Sequence, residues 1–181
     1  MAILPITVYG DKILNEKTKN VNGVDDELIL IIRNMFDTMR NAGGIGLAAN
    51  QVGISKSLFI VDLSPVEGYE DSKPIVLINP IITSESDENV IYEEGCLSLP
   101  NLRADVERPD AIQIKYINTD EKEVILEVDD WLSRVIQHEY DHLLGKLIPD
   151  RVDQKLKKML QKELAQIMNR EADINYPITE K

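Results

Sequence analysis

The sequence predicts an α+β fold in which mostly antiparallel β-sheets pack around a central helix, with a further helix near each terminus. Apolar residues recur at helical spacing in three separate segments, and short β-branched or aromatic runs lie between the first and second of them. Hairpin-like connections between the runs favour antiparallel pairing. With 181 residues, 43% of them hydrophobic, the chain suits one domain spanning residues 1–181.

The first helix is predicted from Asp25 to Asn41, because acidic residues open this segment and Gly43-Gly44 follows it. Its apolar face consists of Leu28, Ile31, Ile32, Met35, Phe36 and Met39. The next residues, 45–49, include small side chains that let a backbone approach another group closely.

Five strands are predicted in the middle of the chain. Their ranges are 58–63, 75–79, 90–92, 111–118 and 123–128. The first three are apolar, β-branched or aromatic runs bounded by turn-forming residues. The fourth alternates apolar and polar side chains, which indicates a half-buried strand, and residues 119–122 form the turn into the fifth.

Two helices are predicted in the C-terminal part. The central helix begins near Asp129 or Asp130, either of which is a suitable N-cap, and ends at Gly145. The last helix covers about residues 153–170 with Asp153 as its cap. Its apolar stripe consists of Leu156, Met159, Leu160, Leu164 and Ile167.

Composition limits the compartment and the partners. A single cysteine forms no internal disulfide, and neither an apolar run of about 18 residues nor a secretory signal is present. We therefore expect a cytoplasmic protein without membrane segments. The formal net charge of -12 disfavours general nucleic-acid binding, since phosphate backbones attract basic surfaces.

Both histidines of the chain fall in one five-residue segment, His138-Glu139-Tyr140-Asp141-His142. On a helix, His138 and His142 lie one turn apart on one face, about 5–6 Å between Cβ atoms, and can bind one metal ion. Glu139 would then contact water activated by that ion. The alternative is a structural pair of buried histidines. Against it, Leu143 offers Glu139 no cationic partner, and an unpaired buried carboxylate is costly.

A catalytic metal site of this kind needs a third protein ligand and an open position. Cys96 is a candidate because it follows Gly95 near the end of a predicted strand. The ordinary interpretation of a lone cysteine is a small buried hydrophobic residue. Cys96 alone leaves the choice open.

Three segments occur in the order GIGLAANQ (44–51), EGCLS (94–98) and QHEYDH (137–142). Together they resemble the three signature motifs of peptide deformylases, and the resemblance covers nearly the whole chain. One departure is Asn50, where many members of that family carry proline. We expect a slightly less rigid loop before Gln51 from this difference.

The resemblance implies a metal-dependent hydrolase that removes the N-formyl group from the N-terminal formylmethionine of newly synthesised proteins and releases formate. It implies that Cys96, His138 and His142 hold one divalent ion, with Fe2+ as the native ion and Zn2+, Ni2+ or Co2+ as substitutes in purified protein. Glu139 is then the general base and acid, and the Gln51 side chain and the Leu97 backbone N–H stabilise the formyl oxygen.

The resemblance also implies a set of substrate-binding residues: Ile45, Gly46, Glu94, Gly95 and Arg103. The backbones of Ile45, Gly46 and Gly95 would pair with the peptide as an added strand. Three alternatives stay open: Glu94 as an ion-pair partner of Arg108, Arg103 as a solvated charge, and Gln51 as an ordinary surface residue.

The predicted partners are N-formylmethionyl nascent peptides and the ribosome. The ribosome is predicted as a partner because residues 151–170 carry six basic and two acidic side chains, with Lys155, Lys158 and Lys162 on one stripe. The default interpretation of this stripe is a solvated helix face. The alternative functions are a zinc peptidase, since H-E-x-x-H also serves peptide hydrolysis, and a metal-binding homologue without catalysis.

Overall fold

The computed structural model describes residues 2–181 and confirms the α+β prediction. Within these residues, a five-stranded antiparallel sheet has the order β1-β2-β3-β6-β7, and β4 and β5 form a separate hairpin. The strands are β1 Gly46–Ala48, β2 Leu58–Val61, β3 Ile75–Glu85, β4 Asn89–Cys96, β5 Leu99–Pro109, β6 Ile112–Ile117 and β7 Glu123–Val128. The helices are α1 Asp26–Asn41, α2 Asp130–Leu143, α3 Gln154–Met159 and α4 Gln161–Met168. Short 3-10 helices cover Lys12–Asn15, Ala49–Val52 and Ile148–Asp150.

Helix α1 begins where the sequence predicts it. The Asp25 carboxylate accepts a hydrogen bond from the Leu28 N–H at 2.8 Å, which satisfies one of the free donors of the first turn. The apolar face of α1 packs against β1 and β2 in one buried cluster, with Met35 and Met39 fully covered. Burial of side chains of this size contributes roughly 1.5–3 kcal/mol each.

Helix α2 packs across β1 and β2 on the other side. Val135, Ile136 and Leu143 are buried against Phe59 and Val61 of β2. Because apolar side chains hold α2 along its length, the polar residues at 138, 139 and 142 are fixed relative to the sheet.

The hairpin of β4 and β5 is longer than predicted. It pairs from Asn89 with Pro109 to Cys96 with Leu99, with a register shift between Gly95 and Cys96. The sequence prediction assigned only residues 90–92 to β4 and no strand to β5. Every second residue of β5 is exposed and polar or charged, and the alternate residues pack under α4.

The last predicted helix is divided into α3 and α4, which meet at Leu160. Asp153 caps α3 as predicted and accepts from the Leu156 N–H at 2.7 Å. The predicted apolar stripe is only partly correct, because Met159 is 66% exposed whereas Leu164 and Ile167 are buried. Among the helices described, none has the length and apolar composition needed to cross a bilayer.

Candidate metal centre

The two histidines of α2 face each other across one helical turn. The Nε2 atoms of His138 and His142 are 3.2 Å apart, and the planes of the two rings are inclined at 77°. Nδ1 of His138 lies 2.9 Å from Oε2 of Glu94. A proton on Nδ1 satisfies this carboxylate and leaves the lone pair of Nε2 directed at the space between the rings.

Cys96 completes the group from the end of β4. Its Sγ is 3.3 Å from Nε2 of His142, and one ligand atom from each of the three residues lies within 4.8 Å of the others. Ligand atoms around a tetrahedral ion are separated by about 3.3 Å between nitrogens and about 3.6 Å between sulfur and nitrogen. The three side chains therefore fit one divalent ion, and the mixed sulfur and nitrogen donor set suits a transition metal.

Glu139 is buried beside these ligands, with 3% of its surface exposed. Its Oε2 has no hydrogen-bond partner within residues 2–181. Burial raises the pKa of Glu139 to about 7, against the opposing effect of the nearby His138 ring. A carboxyl group in this condition can accept or release a proton near neutral pH.

Gly46 makes room for this carboxyl group. A Cβ atom at position 46 would lie 2.9 Å from both Cδ of Glu139 and Cγ1 of Val135, and nearer still to Oε1 of Glu139. Distances this short do not occur between real Cβ atoms and their neighbours, so the close packing of β1 on α2 requires glycine here.

A buried ionic network surrounds the histidines. Both carboxylate oxygens of Glu94 accept hydrogen bonds from Arg108, at 2.6 and 2.9 Å. Oε1 also accepts a hydrogen bond from Arg134 at 2.9 Å. Burial alone would raise the pKa of Glu94, but hydrogen bonds from His138 and Arg108 hold it well below its usual range. The ion pair between Glu94 and Arg108, left open as an alternative, is thus present, and the carboxylate is already saturated within the protein.

The same network extends to Asp141, the residue before the second histidine. Arg108 extends from Glu94 to Asp141, 2.7 Å away, and Arg151 also contacts Asp141. Burial opposes ionisation of Asp141, yet its hydrogen bond to Arg151 and the charge of Arg108 lower its pKa. One arginine thus joins the partner of His138 to Asp141, the residue before His142, whereas Nδ1 of the His142 ring has no hydrogen-bond partner among the described residues.

Gln51 is a buried residue, with 1% of its surface exposed, and the surface alternative for it is wrong. Its Oε1 accepts from the Ala48 N–H at 2.7 Å, which fixes the orientation of the amide. The Nε2 group then points at Ser98 Oγ, 3.2 Å away, and at Cys96 Sγ, 3.5 Å away. An amide donor is therefore held next to the three candidate ligands.

The slightly less rigid loop expected before Gln51 stays a prediction, and the structure shows the contacts of Asn50. Its side chain is fully buried, and Nδ2 donates to the backbone oxygen of His142 at 2.6 Å. This bond ties the 3-10 helix that carries Gln51 to the end of α2. A departure from the family pattern thus has a structural role that the sequence motif does not reveal.

A cleft of about 540 Å³ opens beside the candidate ligands. Ile45, Gly46, Glu94, Gly95 and Arg103 all line it, as do Cys96, Leu97, His138 and Glu139. Gln51 and His142 are not among the lining residues. The side chain of Arg103 is 65% exposed and lies 3.5 Å from Glu93.

Sequence reasoning missed one wall of this cleft, residues 173–176 near the C-terminus. The hydroxyl of Tyr176 donates to the Leu97 backbone oxygen at 2.8 Å. Burial raises the pKa of Tyr176 to about 12, so this hydroxyl keeps its proton. A lone tyrosine between Asn175 and Pro177 was the available signal, but nothing local indicates that the segment returns to the cleft.

An α+β fold that brings a thiol, two imidazoles and a buried glutamate together beside a cleft defines a metal-dependent hydrolase. Comparison with known proteins gives the family: the polypeptide deformylase model matches residues 3–158. A peptide deformylase of Prosthecochloris aestuarii is 47% identical over 178 residues, covering 98% of this chain and 95% of the relative. The Synechococcus elongatus peptide deformylase, solved in complex with actinonin, has a TM-score of 0.81 at 41% identity, covering 93% of this chain and 87% of that one.

A plant peptide deformylase structure gives a TM-score of 0.87 at 35% identity, covering 94% of this chain and 91% of that chain. The chain belongs to the polypeptide deformylase family. It is a metal-dependent hydrolase that removes the N-formyl group from newly synthesised proteins. No observation favours the zinc peptidase or the silent homologue.

Proposed function

We propose that Cys96, His138 and His142 hold one divalent ion, natively Fe2+, in a single catalytic domain spanning the chain. The main support for this proposal is that these three ligand atoms lie within 4.8 Å of one another, beside the free Oε2 of Glu139. When bound, the ion acts as a Lewis acid and lowers the pKa of the water that attacks the formyl carbon. Zn2+, Ni2+ or Co2+ suit the same ligand atoms.

Glu139 moves the proton in this proposal. The carboxyl group faces the cleft between Gly46 and the histidines, and its Oε2 is free to bond to water or substrate. It takes the proton of the attacking water and then transfers it to the leaving amine, acting first as a base and then as an acid. Because Glu139 is not needed to hold the ion, its loss should separate catalysis from metal binding.

Gln51 and Leu97 stabilise the formyl oxygen as negative charge develops on it. The Gln51 amide is oriented by its bond from Ala48, and Leu97 lies at the tip of the β4–β5 hairpin directly after Cys96. Donors fixed in advance cost no reorganisation during the reaction, and the loss of one donor typically reduces turnover about 100- to 1,000-fold.

The peptide binds as an added strand between two sheet edges. β1 lies at the end of the five-stranded order, and β4 pairs with β5 alone, so each has an edge without a ladder partner among the described residues. Ile45 and Gly46 stand on one side of the cleft and Gly95 on the other. Their backbone groups pair with the peptide, and Arg103 contacts the residues beyond the methionine. Glu94 lines the cleft but supports His138 with its carboxylate.

The cytoplasm is the proposed compartment, because a ligand thiol has to remain reduced. The proposed docking partner beyond the substrate is the ribosome. Lys155, Lys158 and Lys162 are exposed on α3 and α4, whereas Lys157 is turned toward Asp150 at 3.3 Å. Replacing the three exposed lysines with glutamate should abolish salt-sensitive co-sedimentation with ribosomes. Unchanged co-sedimentation would contradict this surface assignment.

The experiment for the catalytic proposal combines formate release from formyl-Met-Ala-Ser with metal analysis of anaerobically purified protein. The wild type should release formate without cutting internal peptide bonds and should contain one ion per chain. Glu139→Ala should retain the ion and lose more than nine-tenths of turnover. Cleavage of internal bonds, or an active Glu139→Ala variant, would overturn the assignment.

A further inference from the structure

The C-terminal tail (residues 170–181) is fixed against the N-terminal segment, outside the residues matched by the family model. Ile178 forms a parallel bridge with Ile6, supported by bonds from the Ile6 N–H to Pro177 O and from the Thr179 N–H to Ile6 O, both 2.9 Å. These bonds hold the tail on both sides of Ile178, directly after Tyr176.

A second set of contacts, to Asp11, fixes both ends of the tail. The carboxylate of Asp11 accepts hydrogen bonds from Arg170 Nη2 and from Thr179 Oγ1, each at 2.6 Å. One carboxylate therefore joins the two ends of the tail. Between these ends, Asn101 of β5 donates to the Asp173 backbone oxygen at 2.7 Å. The part of the tail that lines the cleft is thus a fixed wall.

We propose that Tyr176 is a positioning residue that fixes the tip of the β4–β5 hairpin and thereby orients the Leu97 backbone amide toward the substrate. This inference rests on the proposed function, which assigns that amide to the formyl oxygen. It gives the tail a part in the reaction, although the tail carries none of the metal ligands.

The proposal is supported by the hydrogen bonds that hold the hairpin tip. The tip consists of Leu97 and Ser98, which lie between the last residue of β4 and the first of β5. Ser98 is held by the Tyr9 N–H, which donates to its backbone oxygen at 2.9 Å, and by Gln51, which donates to its hydroxyl at 3.2 Å. The bond from the Tyr176 hydroxyl, at 2.8 Å, reaches Leu97 itself.

Removal of the Tyr176 bond would free the Leu97 carbonyl to rotate at the tip. The amide on the other side of the Leu97 Cα would then lose its fixed direction toward the cleft. A misplacement of about 1 Å is enough to reduce turnover up to about 100-fold. The Tyr9 and Gln51 bonds remain in place, so the expected loss is smaller and falls on turnover rather than on substrate binding.

Tyr176→Phe tests the proposal because it removes only the hydroxyl group. Turnover should fall about 3- to 10-fold while KM changes by less than about two-fold. The loss should be equal for formyl-Met-Ala and formyl-Met-Ala-Ser, because the formyl oxygen is the same in both. Tyr69→Phe is the matched control, since its hydroxyl bonds to Asp130 outside the cleft lining, and it should keep wild-type kinetics.

Amide hydrogen exchange of the zinc-loaded protein gives a readout without substrate. Exchange of the Tyr9 N–H, which donates to the Ser98 oxygen at the tip, should be faster in Tyr176→Phe by about the same 3- to 10-fold, with the amides of β2 unchanged. Unchanged turnover, unchanged exchange of the Tyr9 N–H, or a loss that grows with peptide length would overturn the positioning role. Wild-type protein that releases no formate would refute the proposed function instead, and the exchange comparison would still test the tail contact.

Discussion

Glu94 and His138 form the contact on which the geometry of the site depends, with 2.9 Å between Oε2 and Nδ1. The carboxylate accepts from the ring, and two buried arginines hold the carboxylate. His138 can therefore present Nε2 to an ion in one orientation. The contacts from Arg134 to Glu94 and from Glu94 to the imidazole prevent the rotation that the ring of an isolated histidine would have.

Glu94→Gln should weaken both the metal site and the fold. The neutral amide leaves Arg134 without its buried counter-charge and Arg108 with Asp141 alone, which should cost about 3–5 kcal/mol of unfolding free energy. Metal affinity should fall about 10- to 100-fold, because His138 loses its charged hydrogen-bond partner. Chemical unfolding and competition with a chelator measure the two effects.

Glu93→Gln is the matched control for this change, since the Glu93 side chain is 61% exposed and contacts only the exposed Arg103 among the described ion pairs. It should change neither stability nor metal affinity measurably. Equal behaviour of the two variants would show that the buried network does not support the histidine.

Gly46→Ala should nearly abolish turnover. The added methyl group collides with the Glu139 carboxyl group and with Val135, so β1 must move away from α2 or the carboxylate must turn. We expect a loss of at least about 100-fold in turnover and about 1–3 kcal/mol in stability. Formate release and thermal unfolding measure these changes.

Gly23→Ala serves as the control for Gly46→Ala. A Cβ atom at position 23 meets only Glu121 Oε1 at 3.5 Å, an ordinary contact distance. This variant should retain wild-type turnover. An active Gly46→Ala enzyme would contradict the close packing between β1 and Glu139.

Asn50→Ala should lower the free energy of unfolding by about 1 kcal/mol. The effect is modest because the His142 carbonyl keeps its bond from the Gly145 N–H at 3.1 Å. The substitution also removes the buried Oδ1 of Asn50, to which no described residue donates a hydrogen bond. Urea unfolding compared with the exposed-site variant Asn20→Ala measures the difference, and a stabilised Asn50→Ala protein would show that the bond to His142 contributes nothing.

Asp11 should make the stability of the tail depend on pH. Burial alone would raise the pKa of Asp11, but hydrogen bonds from Thr179, the Val8 N–H and Arg170 lower it overall. Since the folded pKa lies below the unfolded value of about 3.9, the stabilisation is complete at neutral pH and is lost as pH falls through the folded pKa.

Unfolding curves at several pH values test this effect. The wild type should lose its advantage over Asp11→Asn as the pH is lowered below about 4. Thr179→Val removes one of the donors and should reduce the slope in part. A constant difference between wild type and Asp11→Asn at all pH values would contradict the lowered pKa.

Local sequence rules predicted much of the scaffold. Asp25 and the apolar spacing after it defined α1, alternation defined β6, and the turn after β6 indicated β7. The metal ligands were suggested because helical spacing fixes His138 and His142 relative to each other, and Cys96 followed from the family motif. These features can be predicted from residues close together in the sequence or from motifs that contain the site residues themselves.

Contacts between distant segments were beyond the reach of those rules. Arg134 reaches Glu94 across 40 positions, Asn50 reaches His142 across 92, and Tyr176 reaches Leu97 across 79. No spacing rule links such residues, because the sheets and the returning tail bring them together. The strand β5 was missed although the exposed Arg103, Asp105 and Glu107 alternate with side chains that pack under α4.

X-ray absorption spectroscopy on anaerobically purified protein, at the edge of the bound metal, tests whether Cys96 and the two histidines hold the ion. We expect one ion per chain with one sulfur neighbour at about 2.3 Å and two imidazole nitrogens at about 2.0–2.1 Å, and loss of the sulfur signal in Cys96→Ala. An ion surrounded by oxygen and nitrogen alone in the wild type, with the Cys96 thiol free to react, would contradict it.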